Sequence, residues 1–420
     1  MEKQKNTVKK VKIKKVIRFF ILSIITAIIL EFIYVTYKSI KEFSESEAKE
    51  FNEKIVEIEN GYLIAGSSNF KYSKFNKKTG STEKARLAIY NSEDKTIKEF
   101  KFKKGKNSLF MDAVEDGKYY LAVGMYQKNT TQKNKGKTDG LFVKYDQAGN
   151  IEYFKSYTKL PNTKFNRILV VDDGYIVVGS TTYNSTSSSE EKGGALILKY
   201  DQAGNVKWEE TYGENTSGAY NDILEEQDGY LVVGSKDSST GLIAKYDKNG
   251  TFKWKKEISY ISENGIRSIK KFKDGYIFCG SFKKSSYATE RTNTAVVVTM
   301  EKDMNIKKVI EYGEEKEVSQ FNNIVVTDKN IYAAGGSAYI NKEKTTKKVT
   351  YYNNKAIFVK YDLNLKKQAE KIIDKKDIYR YTNIGEVKNK IYAVGYTRAK
   401  YERKYADGKN YLSVIDVYAK

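Results

Sequence analysis

Gly174-Tyr175-Ile176-Val177-Val178-Gly179, followed downstream by Ala195-Leu196-Ile197-Leu198-Lys199-Tyr200-Asp201-Gln202-Ala203-Gly204-Asn205-Val206-Lys207-Trp208, is the stretch that decides the fold. Its first half returns along the chain as GYLIAG (61–66), YYLAVG (119–124), GYLVVG (229–234), GYIFCG (275–280), IYAAG (331–335) and IYAVG (391–395). The closing glycines are Gly66, Gly124, Gly179, Gly234, Gly280, Gly335 and Gly395, separated by 58, 55, 55, 46, 55 and 60 residues. A fixed period of this size marks a repeat architecture in which each copy is one supersecondary unit.

Each unit contains four short β-type runs. Eleven residues before the glycine stands an isoleucine in six copies (Ile55, Ile168, Ile223, Ile269, Ile324, Ile384), with Ala113 in the other. Turns such as Asp173-Gly174 and Asp228-Gly229 join this run to the glycine-ending run, a hairpin signal between apolar stretches. A third run, ALILKYD in the quoted copy, closes in an Asp-x-x-Gly turn such as Asp201 to Gly204. The fourth run alternates in polarity, as in Val206 to Tyr212. Four antiparallel strands repeated radially predict an all-β fold, a seven-bladed β-propeller over residues 54–420. The seventh copy ends without its fourth run. Residues 39–45 resemble the fourth run of the first copy (Thr96 to Phe100), so they are expected to supply the ring-closing strand. The alternative for 38–53 is a charged helix.

The stretch 174–213 resembles the repeats of exported bacterial β-propeller proteins of low-GC Gram-positive type. It is more distantly similar to quinoprotein-like (PQQ-like) propellers, whose docking element Asp201, Gly204 and Trp208, and again Asp247, Gly250 and Trp254, echo. The resemblance implies a fold. Propellers host many unrelated activities, so it implies none of them.

Across 420 residues there is no histidine, one cysteine (Cys279) and one proline (Pro161). No serine–histidine triad, cysteine–histidine protease, His–Cys zinc site or internal disulfide can be built from this chain. Residues 1–18 are strongly basic, and 19–37 read FFILSIITAIILEFIYVTY with Glu31 as the one charge. About 20 apolar residues cross a bilayer core, and basic residues on the leading side hold the N-terminus in the cytoplasm. The expectation is therefore a basic cytoplasmic segment (1–18), a transmembrane signal-anchor helix (19–37), a juxtamembrane segment (38–53) and an extracytoplasmic propeller on a single-pass membrane protein. A cleaved signal peptide is the competing reading of the same stretch.

The net charge is +22. Beyond residue 37 nearly all of it falls in the variable loops between second and third runs, on one face of the expected disk. Lys71, Tyr72, Lys74, Lys77, Lys78, Lys133, Lys135, Lys137, Lys347, Lys348, Arg398, Arg403 and Lys404 are the candidate binding residues there. Such a face attracts polyanions in a salt-dependent way. The expected function is a membrane-anchored binding or scaffold module for an anionic envelope polymer, such as teichoic acid or polysaccharide, or for a protein partner. Asn166, Asn221, Asp222, Arg267, Asn322 and Asn383 open the innermost strands and are expected at the channel mouth. Neither paired carboxylates nor a histidine base is visible among them, so no catalytic residue, metal or cofactor is expected. The alternatives are a propeller hydrolase or lyase acting on a polysaccharide at the channel mouth, and an envelope-protein assembly factor.

Overall fold

The turn chemistry and the alternation of apolar residues give short antiparallel strands throughout. A computed structural model describes residues 50–70, 82–128, 138–160, 162–181, 194–213, 218–237, 240–259, 261–283, 293–313, 317–342, 349–373, 378–399 and 410–419. The first sheet comprises β1 (Glu50–Ile58), β2 (Gly61–Phe70), β3 (Thr82–Tyr90) and β4 (Thr96–Lys101). The second contains β5 (Asn107–Asp116), β6 (Tyr119–Gln127), β7 (Asp139–Asp146) and β8 (Ile151–Tyr157). β9 (Thr163–Val171), β10 (Gly174–Thr181), β11 (Gly194–Tyr200) and β12 (Val206–Tyr212) form the third. The fourth is β13 (Ala219–Glu226), β14 (Gly229–Ser235), β15 (Thr240–Asp247) and β16 (Phe252–Ser259). β17 (Ile261–Phe272), β18 (Gly275–Lys283), β19 (Asn293–Met300) and β20 (Ile306–Tyr312) make the fifth. The sixth has β21 (Glu317–Val326), β22 (Asn330–Lys342), β23 (Val349–Asp362) and β24 (Lys367–Ile373). The last sheet has three strands, β25 (Ile378–Val387), β26 (Lys390–Ala399) and β27 (Asn410–Ala419).

Within each sheet the strands follow chain order, as in a propeller blade. The two middle strands are buried on both faces: every residue of β11 and of β14 is buried. The fourth strands lie outside, and β24 is exposed along almost its whole length. The apolar cores sit between neighbouring sheets. One joins Leu87 and Ile89 of the first sheet to Phe110 and Leu141 of the second; another joins Tyr332 and Phe358 of the sixth to Tyr381 and Ile384 of the last. Fourth-strand aromatics dock on the Asp-x-x-Gly turn of the next sheet. A Cβ on Gly250, where φ is +86°, would stand 2.5 Å from the Trp208 ring, so that turn takes glycine for both conformation and room.

The ring closes between its first and last sheets. Asn383 Oδ1 accepts from the Ile55 amide at 3.3 Å, and Thr382 Oγ1 donates to the Asn52 carbonyl at 2.5 Å. The Tyr62 and Tyr392 hydroxyls both donate to Asp94 Oδ1, at 3.0 and 2.9 Å.

The expected architecture needs correction on two points. The ring is not one of seven equivalent blades, since six sheets have four strands and the last has three. The proposed closing strand at 39–45 lies outside the described residues. The second point is the membrane helix: the described residues contain no helix at all, and therefore none long and apolar enough to cross a membrane. The single-pass anchor, the membrane as a partner, and the cytoplasmic and extracytoplasmic placement all depended on that helix, and with no helix among the described residues these expectations lose their support. Residues 19–37 themselves are outside the described residues.

Candidate active site in the axial channel

The site begins with an irregularity repeated in every sheet. Where the innermost strand pairs with its neighbour, the register slips by one residue just opposite the motif glycine. The extra residues are Glu53, Met111, Asn166, Asn221, Arg267, Asn322 and Thr382. Bulges of this kind re-aim a side chain out of the ladder. All seven residues line one cavity of about 220 Å³ on the axis, together with Lys164, Arg167, Ser180, Ala219 and Ser235.

The motif glycine is what admits the bulge. A Cβ on Gly66, Gly124, Gly234 or Gly335 would fall 1.7 to 1.9 Å from the carbonyl oxygen of Phe51, Leu109, Ala219 or Gln320, each two residues before the bulge. Real Cβ atoms do not approach backbone that closely, so a side chain there would push the inner strand away. The repeated glycine thus encodes the position of the channel lining.

The asparagines in this ring are structural stitches. Asn166 Nδ2 donates to the Tyr220 carbonyl (2.9 Å), Asn221 Nδ2 to the Ile266 carbonyl (2.9 Å) and Asn322 Nδ2 to the Tyr381 carbonyl (2.6 Å). In each case the acceptor belongs to the next sheet, so the amide ties neighbours around the axis. Arg380 Nη2 reaches Asn322 Oδ1 at 3.4 Å.

One residue further along the strand, a second set performs the same task with carboxylates. Asp112 Oδ2 accepts from the Ile168 amide at 3.0 Å. Asp222 Oδ2 accepts from the Ile269 amide (3.0 Å) and from Ser268 Oγ (2.8 Å), while its Oδ1 accepts from Arg167 Nε at 3.3 Å. Lys270 Nζ stands 3.5 Å from the same carboxylate. Burial opposes the charge on Asp222, but Lys270, Arg167 and Lys54 outweigh it and hold the carboxyl well below the usual range. Burial likewise opposes the charge on Arg167, and Asp222 and Asp112 more than compensate, so its pKa is raised. Lys54, 3.6 Å from Asp112, is drawn down to about 8 by burial and by the nearby Arg167.

Among the described residues, Glu53, Lys164 and Arg267 of the lining are not tied off in this way. Burial pushes the Glu53 carboxyl up, against the opposing pull of Lys164, Arg380, Arg267 and Arg167. Burial pushes Lys164 down, with Glu53 acting against it and Arg267 with it. A carboxyl pushed toward its neutral acid and an amine pushed toward its neutral base therefore share one cavity, the directions that favour an acid and a base in one site. Arg267 is drawn down to about 10 by burial and then by Arg380 and Arg167, and its buried Nε has no acceptor among the described residues.

Of the six residues read from the sequence as channel-mouth groups, Asn166, Asn221, Arg267 and Asn322 line the cavity. Asp222 and Asn383 lie one position beyond the bulge and serve the joints between sheets. The basic loop residues Lys71, Tyr72, Lys74, Lys77, Lys78, Lys133, Lys135, Lys137, Lys347, Lys348, Arg403 and Lys404 lie outside the described residues. Arg398 has its backbone in β26, paired with Ile378 and Tyr411. Glu53 and Lys164 were missed. A signal for the first existed: every bulged residue stands 13 positions before its motif glycine, and Glu53 is the member of the first copy. The expectation of a non-catalytic binding scaffold is corrected here as well. It rested on the lack of a visible acid–base pair, and the cavity brings Glu53 and Lys164 together. Cys279 is fully buried, its thiol pushed up to about 12 by that burial, which suits a core residue.

No protein-family model and no curated protein matches the sequence. Among solved structures, the chain is similar to a GH43 endo-arabinanase from Bacillus licheniformis, with 11% identity over 61% of this chain and 95% of that one, at a TM-score of 0.32. A GH43_1 enzyme from Xanthomonas citri gives 10% identity over 64% and 93%, at a TM-score of 0.36. A member of the DUF4221 family from Bacteroides vulgatus gives 13% over 69% and 92%, at 0.34. At such identities and TM-scores the likeness carries no chemistry over to this chain.

Proposed function

We propose that the protein cleaves a polysaccharide at the mouth of its axial channel, and that it does so by elimination. The observation that carries the reading is the opposed displacement of Glu53 and Lys164 within one cavity. Lys164, as the free amine, takes the proton from the ring carbon that bears a uronate carboxylate. The electron pair left behind forms a double bond to the adjacent carbon as its bond to the glycosidic oxygen breaks. Glu53, as the acid, gives its proton to that leaving oxygen. Positioned proton transfer of this kind contributes roughly 10²–10⁴-fold in rate.

Hydrolysis is supported less well. It uses two carboxyl groups about 5–9.5 Å apart flanking the scissile bond. Among the described residues lining the cavity, Glu53 is the one carboxylate. Asp222, one position beyond the bulge, is engaged by Arg167, Ser268 and the Ile269 amide. Kinship beyond a β-propeller has slight support: Trp208 packs over Gly250 as a quinoprotein-like docking tryptophan would, while most copies lack the tryptophan.

The test is incubation with a panel of polyuronates, following the ultraviolet absorbance of the unsaturated product. Turnover is expected, with Glu53→Gln and Lys164→Met each lowering it about 100-fold or more. New reducing ends without that absorbance, or no cleavage of any polyuronate, would overturn the elimination.

A further inference from the structure

We infer that Arg267 is the docking group for a carboxylate, and that the channel selects sugars carrying one. The inference rests on the proposed elimination for the identity of the anion, an acidic sugar, while the cationic site itself stands on geometry. Arg267 occupies the bulge position of β17, so the fold aims its side chain into the cavity. Its Nε–H is buried and has no acceptor among the described residues. Buried polar groups are nearly always satisfied, so an unsatisfied guanidinium donor facing a cavity marks a place for an external acceptor.

The surrounding charges sharpen the point. Four cationic side chains, Lys164, Arg167, Arg267 and Arg380, act on the single carboxylate of the lining, Glu53. Arg167 is matched by Asp222, and Arg380 reaches Asn322. Arg267 is depressed first by burial and then by two like charges, Arg380 and Arg167. Glu53 is the one lining carboxylate that offsets this, and it is shared with Lys164, Arg167 and Arg380, so the cations of the cavity outnumber it and an incoming anion would relieve the excess. A carboxylate fits, since guanidinium presents parallel N–H donors to two carboxylate oxygens. The cavity has room for a monosaccharide-sized group, and Ser180 and Ser235 on its wall offer further polar contacts.

The experiment is calorimetric titration of the full chain with galacturonate and with galactose, its uncharged counterpart. Galacturonate is expected to bind at least about tenfold more tightly than galactose, a preference that falls as salt is raised. Arg267→Met is expected to lose about tenfold or more of the galacturonate affinity, with Arg267→Lys intermediate. A purely structural Arg267 would instead show itself as a lowered melting temperature, and here Arg267→Met is expected to melt no lower than wild type. Equal binding of the two sugars, or an Arg267→Met protein that binds galacturonate as wild type does, would overturn the inference. Arg267-dependent galacturonate binding without polyuronate cleavage would support the docking site and reject the elimination. Cleavage undiminished in Arg267→Met would do the reverse.

Discussion

Arg167 and Arg267 project into the same channel from the third and fifth sheets, and their surroundings differ in one respect. Arg167 meets a carboxylate, Asp222, that also receives the Ile269 amide and the Ser268 hydroxyl. Arg267 has no hydrogen-bonded carboxylate among the described residues: Glu53 acts on it only through its charge, and its Nε is unsatisfied. The first arginine belongs to a joint that holds three sheets in register. The second is a cation kept at a cost in stability. That contrast separates what the ring needs in order to close from what it offers to a ligand, and it explains why a carboxylate as central as Asp222 is not the acid of the site.

The comparison breaks most readily at the joint. Asp222→Ala leaves Arg167 buried without its partner and strips an acceptor from the Ile269 amide. Removing one member of a buried pair costs about 3–5 kcal/mol, so denaturant unfolding is expected to show a loss of that order. Gly234→Ala ranks next: its methyl would meet the Ala219 carbonyl oxygen at 1.8 Å, so the inner strand must shift. A loss of about 1–3 kcal/mol, typical of overpacking, is expected in the same assay. For Arg267→Met the sign reverses, because a guanidinium that is buried and pressed by Arg380 and Arg167 is removed; stability no lower than that of wild type is expected in the same assay.

The two regions also differ in their response to pH. Asp222 has a depressed pKa, so the stability it contributes is present above the ordinary aspartate value of 3.8 and is lost as pH falls below it. Glu53 has a raised pKa, so its contribution is fully present below the ordinary glutamate value of 4.5 and declines as pH rises through its folded value. Acid unfolding of an Asp222→Asn protein is accordingly expected to be flatter below pH 3.8 than that of wild type, starting from a lower plateau. An unchanged profile would show that the joint carries no charge-dependent stability.

Much of this was legible in the sequence, and the limits have physical causes. The hairpin turns and alternating strands declare the blade, and the glycine spacing counts the units. The same glycine also locates the channel lining, because only a residue without a side chain lets the bulged strand approach. Glu53 escaped notice since its neighbourhood, 38–53, looks like a charged juxtamembrane segment; the constant 13-residue offset from Gly66 overrides that appearance. The charge pairing was out of reach. Arg167 and Asp222 stand 55 residues apart, and which charges meet depends on how neighbouring sheets face each other around the axis. Nothing local distinguishes the matched arginine from the unmatched one.

The most direct test of the account is the titration of the Glu53 side-chain carboxyl by carbon NMR, assigned by comparison with Glu53→Gln. A midpoint above 4.5 is the expected result, since burial outweighs the cations around that group. A midpoint at or below 4.5 would mean that the surrounding lysine and arginines dominate, and Glu53 could not serve as the acid of the channel.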